Sequence, residues 1–488
     1  YNFEDLSIYP FEKLVSKESK YLNWLKEFNF NPLPSNLSFS GNFFRSLYTQ
    51  KFREINYSGI NSNSQIPIPE LSQKKFLFDW RLSLSQNLTK SIRVNYNASN
   101  SNIVPNINGN QSDLNSSDIG IFDNFFNIGD PDYFNQNFSI NYSLPFNLIP
   151  FLNFIDGSYN YSGDFNWQRG SDMLNNISSE TGEVLGRVNT IQNANTQNFS
   201  LSLNFDKIYR TIPWLNKNES IIPDLIKSLK RARFNYSENS GKVLPGYIPS
   251  IGFLGTARPS IGFVFGNQSD IRYEAAKNGW LTDFPNFNQP FQQIFNSDFD
   301  FSGELELFNS IRIDLNANRR YSNNFSENFS VINNTYSALN PNYYGNFSIS
   351  TNMLKTSFSR RDKNFSSSFE KMKNNRLIVA QRLISQKNLN NINLDSDGFP
   401  VGFSKNSQEV LINSFLSAYL GKNPNDISLN PISKSPKLNW SLQYDGLSKL
   451  FENFISRLSI GHGYRSSFTI NNFRSNLNYN PNSFDNSG

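Results

Sequence analysis

Residues 76–85 read FLFDWRLSLS. Apolar side chains occupy the even positions Phe76, Phe78, Trp80, Leu82 and Leu84. Asp79, Arg81 and Ser83 lie between them. A period of two predicts a β-strand with one apolar and one polar face. The apolar face can pack in the core of a soluble sandwich, or it can face lipid while the polar face lines a lumen.

Composition narrows these alternatives. The chain has 488 residues and no unbroken apolar run near the ~20 residues of a transmembrane helix, which excludes helical spans but not spanning strands. An aromatic content of 15% argues against disorder. With no Cys, the chain has no disulfide, thiolate metal site or Cys nucleophile. The net charge of +5 is near balance and no basic stripe is present, so nucleic acid is not a predicted partner.

The same alternation recurs along the chain, as in NFSLSLNF at 198–205, FDFSGELEL at 299–307, IRIDLNA at 311–317 and NFSIS at 346–350. Tight turns at NLTK and FNS alternate with long Asn-rich connections, and another long loop is expected after IRIDLNA. Short turns at one end and long loops at the other are typical of outer-membrane barrels. The sequence therefore favours an all-β fold, a transmembrane antiparallel β-barrel segment of about a dozen strands.

This interpretation assigns side chains to the two faces. The predicted lipid-facing residues are Phe76, Phe78, Trp80, Leu82, Leu84, Phe301 and Ile313. The predicted lumen-facing residues are Asp79, Arg81, Ser83, Glu304 and Arg312. If the turn centres on Phe308, Glu304 pairs directly with Arg312.

Helical spacing interrupts the strands. It predicts helices over 16–28, over 270–278 before Gly279, over 369–384, and from an N-cap at Asn406 to Gly421. The resulting organisation is a helical lead-in over 1–35, barrel strands with long outer loops over 36–359, a helical insertion over 360–437, and further strands over 438–488. Counting strand crossings then requires either a hidden strand in 360–437 or a segment that threads through the lumen.

Candidate chemistry is sparse, and we predict no enzyme, cofactor or metal site. His462, the only histidine, falls where a strand is expected, so a structural role is favoured over a Ser–His–Asp triad. Asp395 and Asp397 begin a calcium-like loop, but Asn406 stands where that loop needs Glu. Five residues remain as loop or gating candidates: Pro245, Gly246, Pro249, Asn375 and Arg376.

Several long phrases of the sequence are distinctive. They include LPSNLSFSGNFFRSLY, NTIQNANTQ, GKVLPGYIPSIGF, YEAAKNGWLTDFP, NNRLIVAQRL, DGFPVGFSKNSQEVLINSFLSAYLGK and GHGYRSSFTINNFRSNLNYN. In this order, over nearly the whole chain, they resemble the SprA/Sov family, the outer-membrane translocons of the type 9 secretion system that also serve gliding motility. Members of that family are several times longer, so the resemblance implies a C-terminal fragment.

The resemblance implies a protein of the Gram-negative outer membrane, within a barrel of roughly 36 strands. It also implies export of folded cargo proteins with a C-terminal signal, a PorV-type shuttle barrel at a lateral opening, and a periplasmic plug protein as partners. A barrel of that size has a diameter of ~70 Å. The alternatives are a TonB-dependent transporter or large porin for solute uptake, and a secreted β-sandwich adhesin.

Overall fold

The computed structural model describes residues 6–12, 28–51, 71–104, 129–149, 151–171, 188–213, 215, 221–308, 310–386, 393–433, 435–447 and 458–474. Within these ranges the chain forms an antiparallel sheet of 13 strands and a separate two-stranded hairpin. The large sheet contains β1 (Asn36–Gln50), β2 (Leu71–Asn87), β3 (Ile92–Ile103), β4 (Asp130–Leu144), β5 (Ile155–Gln168), β6 (Asn189–Asn204), β7 (Leu229–Tyr247), β8 (Phe291–Leu307), β9 (Ile311–Ile332), β10 (Thr335–Ser350), β13 (Asn439–Tyr444), β14 (Ile460–Tyr464) and β15 (Ser467–Arg474). The hairpin is β11 (Arg361–Asp362) and β12 (Phe365–Ser366).

The first ten strands are neighbours in chain order. Their predicted alternation is confirmed, but the long loop expected after IRIDLNA is wrong. β9 instead continues to Ile332 and turns through Asn333 and Asn334, whose φ angles are 49° and 59°. Two positive φ angles in a two-residue turn match the natural twist of a hairpin. The Asn- and Ser-rich second half of β9 keeps aromatic side chains on one face, which explains why it forms a strand.

The register of the β8–β9 hairpin also differs from the prediction. Arg312 pairs directly with Glu306, while Glu304 pairs with Asp314. The loop begins at Phe308, whose φ is 54°. The paired residues that flank the loop are Leu307 and Ile311. The partner moves by two residues, so every side chain keeps its predicted face.

The region of the predicted insertion leaves the sheet in the middle of a strand. β10 pairs with the upper part of β9, and β13 pairs with residues 311–316 of the same edge of β9. Likewise β15 pairs with β10, and β14 pairs with β13. β10 and β13 thus form one composite strand, and β14 and β15 form the next. Strand parity is therefore kept, and neither a hidden strand in 360–437 nor a segment through the lumen is needed to keep it.

Seven α-helices are described: α1 (Phe205–Tyr209), α2 (Ile221–Ile226), α3 (Ile261–Val264), α4 (Arg272–Lys277), α5 (Leu354–Ser357), α6 (Ser367–Gln386) and α7 (Gln408–Tyr419). A 3-10 helix spans Phe146–Leu148. α4, α6 and α7 confirm three predicted helices, and Gly279 and Gly421 have the positive φ angles expected after helix ends. The N-cap of α7 is Ser407, so the prediction of Asn406 is wrong. The predicted helix over 16–28 falls on residues outside those described.

Buried side chains form three clusters that locate the packing. The largest lies between the sheet and residues 248–290, which connect β7 to β8. The second lies within the insertion, between α6, α7 and the loops beside them. The third joins α7 to β10 and β15. Among the described residues, no helix has the length and apolar character needed to span a membrane.

Candidate functional site

One face of the sheet, here called the polar face, is covered with short hydrophilic side chains. Strand pairing places one row of them side by side across β2 to β10 and on to β15. The row consists of Asn87, Arg93, Asn141, Asn160, Asn198, Ser237, Asp298, Arg320, Ser348 and Thr469. Every member is polar, so the row forms a continuous hydrophilic band across ten strands.

Neighbouring side chains of the polar face hydrogen-bond to one another. Ser83 Oγ donates to Asn97 Oδ1 over 2.8 Å, and Ser237 Oγ donates to Asn198 Oδ1 over 2.7 Å. The charged pairs on this face are exposed, as for Arg320 and Asp298, whose Nε and Oδ1 lie 4.0 Å apart. Exposed pairs of this kind contribute little stability. The polar face is therefore hydrophilic, and its side chains are linked mainly by short hydrogen bonds.

All five predicted lumen-facing residues lie on the polar face. Asp79, Arg81 and Ser83 share it on β2, where Asp79 Oδ1 accepts a hydrogen bond from Ser101 Oγ over 2.6 Å. Glu304 and Arg312 share it on β8 and β9, with Oε1 and Nε 3.7 Å apart. The two groups are separated by several strands, so they belong to one surface and not to one compact site.

The opposite face, here called the apolar face, is open in the half nearest the short turns. Phe234 and Phe301 pair across β7 and β8 with ring centroids 4.8 Å apart. Phe199 remains 37% exposed on β6. Leu84 and Ile313 also lie in this open half, each half-buried by its neighbours, while Leu82 lies at its border and packs against the covered cluster.

Residues 248–290 cover the other half of the apolar face. Trp80 is 1% exposed and its ring centroid lies 5.4 Å from that of Phe253. Phe78 stacks on the same ring, and Phe76 is half-buried beside Phe43. Phe78 and Trp80 therefore contact protein, not an open surface as expected. Strand alternation identifies the face but carries no information about which connection folds back onto it.

Polar side chains within the covered half bind the backbone of residues 248–290. Asn193 Nδ2 donates to the carbonyls of Phe263 and Asn267 over 3.2 and 2.8 Å. Asn195 Nδ2 donates to Gly266 O over 2.8 Å, and Gln136 Nε2 donates to Val264 O over 3.0 Å. Buried backbone groups need hydrogen-bond partners. These side-chain amides supply them, because the covering segment is not paired with a strand of the sheet at these residues.

Glycine permits the closest approach of the two layers. A Cβ at Gly163 would lie 2.3 Å from the carbonyl oxygen of Phe265. Gly266, with φ of 92°, lies directly against Gly163. Any larger residue at position 163 would push the covering segment off the sheet.

An ion pair fixes α4 to β9. Arg272 Nη1 binds Glu327 Oε1, and its Nη2 lies 2.7 Å from Asp270 Oδ2. The Glu327 side chain is only 2% exposed and also accepts a hydrogen bond from Tyr336 OH over 2.7 Å. Burial favours a neutral Arg272, but the hydrogen bond with Asp270 and the charges of Asp270 and Glu327 outweigh it and raise the pKa of Arg272. The guanidinium lies 4.6 Å from the ring centroid of Phe291, so the charge is enclosed by aromatic side chains.

The loop and gating candidates all make structural contacts. Pro245 and Gly246 are buried at the end of β7, and Pro249 O accepts a hydrogen bond from Trp167 Nε1 over 3.1 Å. Asn375 Nδ2 donates to Ser417 Oγ over 2.7 Å and so links α6 to α7. Arg376 Nη1 donates to Lys405 O over 3.2 Å. Pro245 and Gly246 thus belong to the end of β7, Pro249 lies at the start of the covering segment, and the last two hold the insertion together.

The remaining candidates for catalysis or calcium binding, His462 and Asp395, make structural contacts. His462 pairs with Leu442 and lies beside Trp440, with ring centroids 6.4 Å apart. Asp395 Oδ1 accepts backbone N–H groups of Asp397 and Phe399, which makes this stretch a turn. Within the described part of the chain, no group of three or more His, Cys, Asp or Glu is arranged to hold a metal.

Sequence reasoning missed the junction where the composite strands are interrupted. Ser350 Oγ donates to Lys437 O over 2.7 Å, and the N–H of Lys437 donates to Ser350 O over 2.9 Å. Asn439 Oδ1 accepts the N–H of Ser466 over 3.0 Å. Residues 351 and 438 thus leave and enter the sheet at adjacent points. Ser and Asn occur throughout the chain, so nothing in the sequence marks these particular ones.

Comparison of the sequence with protein-family models and with curated proteins returned no match.

Proposed function

We propose that this chain forms part of the wall of an outer-membrane β-barrel in a Gram-negative bacterium, and that the barrel conducts folded proteins. The observation that supports this most directly is the contrast between the two faces of the sheet. The polar face carries an unbroken hydrophilic row, while the apolar face is open near the short turns. Lipid suits the second surface and a water-filled lumen suits the first.

The edges of the sheet support closure with further strands. β1 forms one edge and the composite strand of β14 and β15 forms the other, and the two are not paired with each other in the described sheet. Phe39 and Phe43 of β1 are 56% and 62% exposed, although they lie beside Leu82 and Phe78 of β2. Unpaired backbone groups are not tolerated in lipid, so each edge needs another strand.

The barrel size implied by the resemblance supports a protein channel over a solute pore. Eleven strand positions, counted along the sheet, would close to a diameter of only ~22 Å. A folded domain of ~100 residues has a radius of gyration of ~13 Å and cannot pass through such a barrel. The larger barrel implied by the resemblance, of roughly 36 strands, would admit it. The corresponding process is type 9 secretion, which also serves gliding motility. Its cargo would be folded proteins with a C-terminal signal, and its partners a PorV-type shuttle barrel and a periplasmic plug protein.

Replacing the insertion tests the transport role. In the complete protein, a short Gly-Ser linker would replace residues 353–435, because Ser350 and Lys437 are already hydrogen-bonded neighbours. The sheet junction then remains intact, and we expect outer-membrane assembly to persist. Cargo with a C-terminal signal should accumulate in the periplasm instead of the medium, while small-solute uptake stays normal.

Two results would contradict the proposal. Normal secretion by an assembled deletion variant would exclude a transport role for the insertion. Normal secretion by cells that lack the whole protein would exclude the protein-conducting channel itself.

A further inference from the structure

A groove lies where the insertion meets the sheet. Its volume is about 820 Å³, within the ~300–1,000 Å³ typical of ligand sites. Ile349 of β10, Leu416 of α7 and Phe468 of β15 line it, and all three belong to the cluster that joins the insertion to the sheet. Most of its lining surface is apolar.

Three lysines from separate segments border the groove. Lys355 lies in α5, Lys422 follows α7, and Lys437 precedes β13. All three are exposed, and the residues lining the groove include no Asp or Glu. Among the described residues no salt bridge involves any of the three. The groove thus combines an apolar floor with a positively charged border.

We infer that this groove binds an anionic phospholipid, with an acyl chain against the apolar floor and the phosphate near the three lysines. The inference rests on the proposed function, which turns the apolar face of the sheet toward the membrane. Ile349 and Phe468 pair with each other across β10 and β15. Both lie on the apolar face of the sheet, where α7 of the insertion packs against them, so the groove lies between α7 and that face.

The chemistry of the lining favours lipid over a peptide. An extended peptide needs partners for its own backbone N–H and C=O groups. The backbone at the sheet edge of the groove is already engaged, since Lys437 N–H bonds to Ser350 O and Thr351 N–H bonds to Ser466 O. An acyl chain needs no such partners, and lysines attract anionic head groups electrostatically.

Native mass spectrometry of the complete protein, purified from outer membranes, tests this inference. The probes are phosphatidylglycerol and phosphatidylcholine with identical acyl chains, added at equal concentration. We expect the protein to retain phosphatidylglycerol preferentially. The variant Lys355→Gln, Lys422→Gln, Lys437→Gln should lose at least about tenfold in phosphatidylglycerol retention and little in phosphatidylcholine retention. Lys363→Gln combined with Lys371→Gln is the matched control, because both lysines are exposed on the insertion away from the groove.

The outcomes separate this inference from the proposed function. Membrane fractionation of the cells comes first. Absence of the protein from the outer-membrane fraction would contradict both the proposed function and the lipid site. If the protein is in the membrane but retains the two lipids equally, or if the triple variant retains phosphatidylglycerol like the native protein, only the lipid site is wrong. If an acidic peptide binds in a manner that depends on the three lysines and phosphatidylglycerol does not, the occupant is a peptide and the lipid inference is overturned.

Discussion

Replacement of Arg272 by Met should release the covering segment 248–290 from the sheet. The guanidinium is the cationic partner of the Glu327 carboxylate, whose side chain is only 2% exposed. Removing one partner of a buried ion pair costs ~3–5 kcal/mol, because the other charge stays buried without compensation. Each 1.4 kcal/mol is a factor of ten in an equilibrium constant. The population with α4 detached should therefore rise by a factor of a hundred or more.

Amide hydrogen exchange measures this population directly. The N–H of Ala275 bonds to Ile271 O over 2.8 Å within the first turn of α4, and its protection should fall at least about a hundredfold in the Arg272→Met protein. The double variant Arg272→Met, Glu327→Met should recover most of the loss, since apolar replacement of a whole buried pair is often neutral. Arg258→Met is the matched control, because that side chain is exposed and lies over the Trp280 ring, away from Glu327. Unchanged protection of Ala275 in the Arg272→Met protein would refute the role of the ion pair.

Two other substitution experiments test the faces and the register. Leu82→Arg should destabilise the assembled protein by ~2–4 kcal/mol if that position lies near the bilayer midplane, whereas Ser83→Arg should change its stability little. Equal stability of the two variants in a heat-modifiability assay would argue against a lipid-facing apolar surface. In a chain with no native Cys, the pair Glu306→Cys and Arg312→Cys should form a disulfide readily, because these residues are direct partners. The pair Glu304→Cys and Arg312→Cys should cross-link less well, and the reverse order would show that the hairpin register is wrong.

Strand alternation was sufficient to predict the faces but not their environment. The odd-even pattern around Trp80 placed it with Leu82 on the apolar face, and both lie there. The pattern could not show that Phe253, far along the chain, covers Trp80 and leaves Leu82 half-buried. That contact depends on a long connection folding back, which local periodicity does not record.

Composition misled the prediction in the second half of β9. Asn and Ser are common in loops, yet residues 317–332 form a strand with Tyr321, Phe325 and Phe329 on one face. In a sheet whose polar face is built from Asn and Ser, those residues no longer distinguish loops from strands. The interruption at Ser350 was unpredictable for the same reason, because the hydrogen bonds that stabilise it use residue types found in every strand.

The orientation of the sheet in the membrane is tested most directly by nitroxide labels on adjacent positions of β6. Single Cys residues at Phe199 and Ser200, in the complete protein reconstituted into liposomes, would place one label on each face, since Phe199 pairs with Tyr236 and Ser200 with Asn235. We expect the label at 199 to be accessible to oxygen dissolved in the bilayer, and the label at 200 to be accessible to a water-soluble nickel complex. Equal accessibility of both labels to the nickel complex would contradict the assignment of the apolar face to lipid.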